Sequence, residues 1–337
     1  MRSIGFIISH KNNEERRALL PQDLSGIHHR RKLFFEEGYG LSLGIPDAAY
    51  IAQGVRMVTR AEALGCDIIT DVKLGDADYL QELQPGRILF GWAHAVQMTD
   101  FTTQVLSGRH TVLAWEEIYE DGRYIFYRNR EVAGEAAILH GFRYSGRMPY
   151  DANVAILGNG QTAKGALRIL HGLGAKVDVY PRKFEKLFRR KMFDYDVLVN
   201  CVMWDTSRED RIIYREDLKK MKPGTLIIDV TCNQSLEIET SRPTTIDLPV
   251  YTVDGVVHYA VDNTPAMYPK TVSHVLSQGL APMIDPMVEG KLPAHMKAAV
   301  VIESGSILQE EIRVFREARG LPCARGAEDC AGERDFY

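Results

Sequence analysis

With 337 residues, 45% of them hydrophobic and 26% charged, the sequence has ordinary globular composition and enough length for two domains. A net charge of −4 supplies no attraction toward nucleic acid or an anionic membrane, so neither is an expected partner. No apolar run reaches the roughly eighteen residues that span a bilayer, and MRSIGFIIS lacks the long apolar core of a secretory signal.

Taken in chain order, the first part alternates strand-like and helix-like segments. Ile4–Ser9 reads as a strand, Asp23–Lys32 as a helix, Leu33–Glu36 as a strand, Ala48–Gln53 as helical and Val55–Val58 as extended. Cys66–Val72 and Arg87–Trp92 are apolar runs of strand length, with a short helix near Asp78–Leu83 between them. Phe101–Leu106 reads helical, Thr111–Ala114 as a strand, 120–123 as a turn and Tyr124–Tyr127 as extended. This alternation predicts a parallel α/β domain. Glu131–Tyr144 has helical spacing and serves as a connector. Strands follow at Val154–Leu157, Val177–Tyr180, Val197–Asn200, Thr225–Val230 and Val256–Val261, enough for a second doubly wound sheet. From Tyr268 to about Arg319 the pattern is helical, and Pro322–Tyr337 reads as a mobile polar tail. Cys66, Cys201, Cys232, Cys323 and Cys330 match no common zinc spacing, and His28 and His29 are adjacent, so no metal site is expected. An odd cysteine count without a signal fits a reducing cytoplasm.

The most specific stretch is 154–183, VAILGNGQTAKGALRILHGLGAKVDVYPRK, a strand, a glycine turn, a helix and a second strand. In the turn Gly158, Asn159, Gly160, Gln161, Thr162, Ala163, the first glycine permits the bend and the second admits a pyrophosphate. The small Ala163 lets helix and strand pack closely. The free N–H groups and partial positive charge of the helix N-terminus suit a phosphate. A tight first turn of a flavodoxin-like domain has the same outline. The second strand ends in Tyr180, Pro181, Arg182 and Lys183, where an NAD-binding protein usually carries an acid. A basic pair there suits an extra phosphate, hence NADP(H), although it also fits a solvated loop.

Arg16 in HKNNEERRALLP, Lys73 at the end of CDIITDVK and His94 after RILFGWAH all follow strand runs, where ligands of open α/β sheets sit. Arginine grips a carboxylate through two bonds, lysine polarises a carbonyl oxygen, and histidine passes a proton near neutral pH. Together they suit a small keto acid. Singly, each also fits a solvated charge or a buried, satisfied histidine.

These segments resemble the alanine dehydrogenase and nicotinamide nucleotide transhydrogenase family. KNNEERRALLP is similar to its first-loop signature, DVKLGDADYLQELQPGRILFGWAHA to its strand–helix–strand unit, and DGVVHYAVDNTP to the segment that closes over the nicotinamide. The resemblance implies that Arg16 and Lys73 bind substrate, that His94 acts as acid and base, and that Asn263 lies near the cofactor. It is strongest toward the opine-type synthases of that family. The shared features are Gly91, Trp92 and His94, Gly224–Asp229, Thr245–Tyr251, Asn263–Pro265, Val272–Leu280 and the Arg182-Lys183 pair, spread over residues 1–285. That branch implies an NADPH-dependent oxidoreductase acting on CH–NH groups. It joins pyruvate to the side-chain amine of ornithine, or less readily lysine, and reduces the imine. The implied fold is two doubly wound Rossmann-like domains with a cleft between them. Residues 1–130 plus 268–337 form a discontinuous substrate domain completed by C-terminal helices, and 131–267 bind the dinucleotide. Long apolar helices beside the cofactor domain favour a homo-oligomer.

One position departs from the pattern. Alanine dehydrogenases have an aspartate after the strand matching Thr225–Val230, whereas this chain has Asn233, an amide that hydrogen-bonds substrate or ribose but takes no full proton. Arg242 is a candidate grip for the amine donor's carboxylate and fits a surface loop charge equally. Two other readings stay open: an alanine dehydrogenase that uses ammonia, and a non-catalytic NADP(H)-binding regulator.

Overall fold

The computed structural model describes residues 1–205 and 208–323. The chain divides into two compact units. One holds Met1–Phe126 and the described chain from Pro269 onward, and the other holds Tyr127–Tyr268.

The first unit is built on an eight-stranded sheet. Its order is Ser306–Ile307, Val300–Glu303, Thr111–Ala114, Ile88–Gly91, Ile68–Asp71, Ile4–Phe6, Leu33–Glu36 and Arg56–Val58. The six strands before residue 115 are mutually parallel, and the two from the C-terminal segment pair antiparallel. Ile68–Asp71, Ile88–Gly91 and Thr111–Ala114 are buried at every residue, as parallel strands covered on both faces must be. The order of the parallel strands reverses between Ile4–Phe6 and Ile68–Asp71, which opens a crevice at their carboxyl ends.

The helix Pro269–Glu289 buries Val272, Leu276, Leu280 and Ile284. It also holds the loop after the first strand: Arg17 N–H donates to Ser273 Oγ and Leu20 N–H to Ser277 Oγ, both at 2.8 Å, while Ser277 Oγ donates to Asp23 at 2.5 Å. The C-terminal segment therefore fixes the loop that carries Arg16.

Three local expectations differ from the structure. Asp23–Lys32 is not one helix but a short helix Pro21–Leu24 and a 3-10 turn Arg30–Lys32. The N–H groups of His28 and His29 donate to Asp285 at 2.9 Å each, so a tertiary acceptor replaces the helical one. After the helix Ala294–Ala298 the chain is not helical throughout but forms the hairpin Val300–Glu303/Ser306–Ile307. Its two-residue turn, Ser304-Gly305, has φ of 49° and 80°, which matches the twist of the flanking strands. Helix Tyr127–Gly141 begins where an extended segment was expected to end. The expected polar tail lies outside the described residues beyond Cys323, as does Cys330.

The second unit carries a six-stranded sheet. Its order is Lys176–Tyr180, Asn153–Leu157, Val197–Asn200, Leu226–Asp229, Val256–Tyr259 and Val250–Val253, the last antiparallel. Val154, Ile156 and Val199 face one apolar layer, and Ala155, Leu157 and Leu198 face the other, so helices cover both sides. Helix Gln161–Gly172 meets helix Tyr127–Gly141 almost backbone to backbone. A Cβ on Gly165 would lie 1.9 Å from Glu131 O, and one on Gly134 would lie 2.0 Å from Thr162 O. Both units are Rossmann-like, and strands as well as helices from the C-terminal segment complete the first.

Candidate active site

In the first unit Arg16 and Lys73 lie in the loops after Ile4–Phe6 and Ile68–Asp71, the two strands that flank the crevice. His94 follows the next strand, Ile88–Gly91. The loops are tied together: Gly75 N–H donates to Trp92 O at 2.9 Å, and the Arg16 guanidinium stacks 4.9 Å from the Trp92 ring centroid. Gly91 packs so tightly that a Cβ there would lie 1.9 Å from Asp71 O.

Arg16 is buried and bonded along one edge to an acid. Its Nε donates to Glu14 Oε1 at 2.8 Å and its Nη2 to Glu14 Oε2 at 2.5 Å. This planar, two-bond geometry is the same that a substrate carboxylate uses. Lys73 Nζ is 3.7 Å from Asp76, which Lys11 also reaches at 3.3 Å. Beneath Lys73, Asp71 accepts the Lys73 N–H at 2.9 Å and the Tyr79 hydroxyl at 3.1 Å. Burial outweighs those bonds and, with Glu14 adding a like charge, pushes the Asp71 carboxyl up to about 6.

His94 takes a left-handed conformation, φ 45°, which costs a non-glycine residue about 1–3 kcal/mol. Glu116, just after the adjacent strand Thr111–Ala114, supports it. Glu116 accepts the N–H of Ala93 at 3.2 Å and of His94 at 2.5 Å, and lies 4.0 Å from His94 Nδ1. Burial of Glu116 pushes its carboxyl up to about 7 despite these bonds. A half-exposed imidazole thus stands beside an acid that titrates near neutrality.

In the second unit Gly158 sits at the switch between Asn153–Leu157 and Val197–Asn200, with φ 109°. Its N–H donates to Tyr180 O at 2.8 Å, and a Cβ there would lie 2.9 Å from Cys201 O. Gly160, the N-cap of helix Gln161–Gly172, faces open space: a Cβ built on it meets nothing within 4 Å. Asn159 is exposed, Gln161 and Thr162 are half-buried, and Ala163 is buried. An open cradle before a twelve-residue helix fits a pyrophosphate. Arg182 and Lys183 are exposed in a 3-10 turn beside it. Arg182 lies 3.5 Å from Asp205, and Lys183 Nζ lies 5.1 Å from the Phe184 ring centroid. Asn263 has φ 64° and opens the 3-10 helix Thr264–Met267. Asn233 is bonded to the buried Glu237. Arg242 stacks 4.4 Å from the Tyr251 ring centroid, in a groove of about 410 Å³ beside the edge strand Val250–Val253. Burial pushes the thiols of Cys201 and Cys232 above their usual range, which makes them poor nucleophiles. Among the described residues no cluster of His, Cys, Asp or Glu is arranged to hold a metal ion, and no helix is long and apolar enough to cross a membrane.

Two family models match: the alanine dehydrogenase/PNT N-terminal domain over residues 9–126, and the alanine dehydrogenase/PNT C-terminal domain over 181–313. The chain belongs to the alanine dehydrogenase/PNT family. Within the family it is 30% identical over 294 residues to N(5)-(carboxyethyl)ornithine synthase of Lactococcus lactis subsp. lactis, covering 82% of this chain and 93% of that one. It is 28% identical to the enzyme of the same name from Clostridium botulinum (82% and 92% covered). Alanine dehydrogenase of Methanococcus maripaludis is 29% identical over 318 residues (83% and 85%). The fold matches L-alanine dehydrogenase with a TM-score of 0.81 at 20% identity, covering 94% of this chain and 99% of that one. A transhydrogenase from Sinorhizobium meliloti matches with a TM-score of 0.75 at 19% identity, covering 90% and 98%. Membership of this family makes the chain an oxidoreductase of the CH–NH class with a nicotinamide nucleotide cofactor and small-molecule substrates.

Glu14, Glu116 and Glu237 were not legible as site residues. Glu14 and Glu116 stand in acidic pairs, Glu14-Glu15 and Glu116-Glu117, which read as solvated charge. Their burial depends on packing between loops that are distant in sequence.

Proposed function

We propose that this enzyme carries out NADPH-dependent reductive condensation of pyruvate with the side-chain amine of ornithine or lysine. The observation that carries the reading is the placement of Arg16 and Lys73 at the two loops of the first unit's switch point, with His94 on the next strand and Glu116 behind it. Arg16 holds the keto-acid carboxylate, and Glu14 keeps its guanidinium plane fixed. Lys73 polarises the keto oxygen. A side-chain amine with a pKa about three units above neutral costs about 4 kcal/mol to present uncharged at pH 7. His94, with Glu116 beside its ring, takes that proton and returns one to the departing water. Bound NADPH supplies the hydride that reduces the imine carbon.

Arg182 and Lys183 support NADPH over NADH, because a charge-assisted bond to the extra phosphate contributes about 1.5–3 kcal/mol, roughly ten- to a hundredfold in affinity. Asp205 beside Arg182 would be displaced by that phosphate, or would weaken the preference. The 30% identity to carboxyethylornithine synthase supports the amine donor.

The test follows NADPH oxidation with pyruvate plus ornithine, lysine or ammonia. Oxidation that depends on ornithine or lysine is expected. Oxidation with ammonia alone would make the enzyme an alanine dehydrogenase, and NADPH binding without oxidation by any amine would favour a regulator. His94→Gln is expected to lower kcat by about 10²–10⁴-fold with NADPH affinity unchanged; unchanged turnover would remove His94 from the chemistry.

A further inference from the structure

The loop after Leu226–Asp229 is shaped by two buried acids. Asp229 Oδ1 accepts Asn200 Nδ2 at 2.9 Å and Thr231 Oγ1 at 2.8 Å, and its Oδ2 accepts Ser241 Oγ. Glu237, fully buried, accepts the same Asn200 Nδ2 at 3.0 Å and lies against the same Thr231 hydroxyl, whose single proton the two acids share. Both oxygens of Glu237 face Asn233 Nδ2, at 3.2 and 3.3 Å. Cys232 and Ser235, on either side of Asn233, have φ of 56° and 52°. Backbone of that kind persists only where surrounding bonds fix it: Cys232 N–H donates to Asp229 Oδ1 at 3.3 Å, and Ser235 N–H to Ser241 O at 2.9 Å.

A side-chain amide has its donors on one side and its acceptor on the other. With the Asn233 nitrogen turned to Glu237, Oδ1 is the atom turned away from the acid. We propose that Glu237 is a positioning residue, holding Asn233 so that its Oδ1 is presented as an acceptor to an N–H group bound at this strand end. This makes chemical sense of an amide where alanine dehydrogenases have an acid: the carboxylate stands one layer behind and acts through the amide. The N–H belongs to the amine substrate, or to the carboxamide of the nicotinamide, and the first of these rests on the function proposed above.

The hold depends on pH. Burial first, then the like charge of Asp229, raises the Glu237 pKa. Once protonated, its O–H competes for the Asn233 oxygen and the amide turns over. Around the pair also stand Cys232, whose thiol burial keeps neutral and which faces Asp262, His258 on the neighbouring strand near Asp229 and Arg242, whose pKa burial lowers, and Tyr251, whose pKa burial raises.

The test uses the full chain labelled with ¹⁵N-asparagine, with the Asn233 side-chain resonances identified by their loss in Asn233→Ala. In the wild type they are expected to shift with pH, and in Glu237→Gln that shift should vanish. Kinetically, Glu237→Gln and Asn233→Ala should each raise the amine KM by about tenfold or more, with NADPH Kd within about twofold, and the double variant should be no worse than Asn233→Ala. A rise in NADPH Kd in place of amine KM would assign the N–H to the nicotinamide carboxamide. Resonances insensitive to pH, or a Glu237→Gln variant that is less stable yet unchanged in KM, Kd and the Asn233 shift, would overturn the proposal. Should Glu237→Gln fail to fold, the wild-type pH titration and Asn233→Ala decide it. Should no amine support oxidation, the proposed function fails, and the resonance and Kd measurements still decide the role of Glu237.

Discussion

Glu116 couples the site to stability. Its carboxyl is pushed up to about 7 in the folded protein from an ordinary value of 4.5. An acid whose folded pKa is raised binds its proton more tightly when folded. Its contribution is fully present below about pH 4.5 and is lost as pH rises through about 7. Replacing it with glutamine removes the ionisation. Glu116→Gln should therefore gain stability relative to the wild type between pH 5 and 8, by at most about 3 kcal/mol in urea unfolding. Asp71 titrates in the same direction, up to about 6, in both proteins and drops out of the difference. A difference independent of pH would contradict the account. The placement of Arg16, Lys73 and His94 after strands was legible in the sequence, because an apolar run marks each strand. Their acidic partners were not, because burial of a carboxylate is decided by chain that arrives from elsewhere: Glu116 meets His94, and Glu237 meets Asn200, each from the loop after the adjacent strand.

At the scale of elements, the parallel strands and the turn of the small hairpin Tyr119–Glu120/Arg123–Tyr124 were legible, and the hairpins at the edges of the two large sheets were not. Runs such as CDIITDVK announce a strand buried on both faces. Val250–Val253 and Val300–Glu303 were missed, although each is followed by a two-residue turn, Asp254-Gly255 or Ser304-Gly305, that signals a hairpin. Two glycines on and before the helix Gln161–Gly172 separate its two jobs. Gly165 has no room for a side chain, whereas Gly160 has open space and an ordinary φ of −74°. Gly165→Ala should lower stability by about 1–3 kcal/mol through overpacking. Gly160→Ala should leave stability within about 1 kcal/mol and weaken NADPH binding by about tenfold or more, because its methyl group enters the pyrophosphate cradle. Thermal unfolding and fluorescence titration of NADPH check both, and the reverse pattern would place the cofactor elsewhere.

For the whole molecule, the chain leaves its first unit after Phe126 and returns at Pro269, and the returning helix holds the Arg16 loop through Ser273 and Ser277. The resemblance read in the sequence made the family legible, and the family models with the 30% identical relative establish it. The proposed distinction between an amino-acid donor and ammonia rests on fewer residues: Arg182, Lys183 and Asn233, the last bonded to Glu237. The most direct test supplies NADPH dideuterated at nicotinamide C4 together with pyruvate and either ornithine, lysine or ammonia, and analyses the product by mass spectrometry. The account predicts an N-(carboxyethyl)amino acid that carries one deuterium on the carbon derived from the keto group of pyruvate. Deuterated alanine formed from ammonia, with no condensed product from either amino acid, would contradict it.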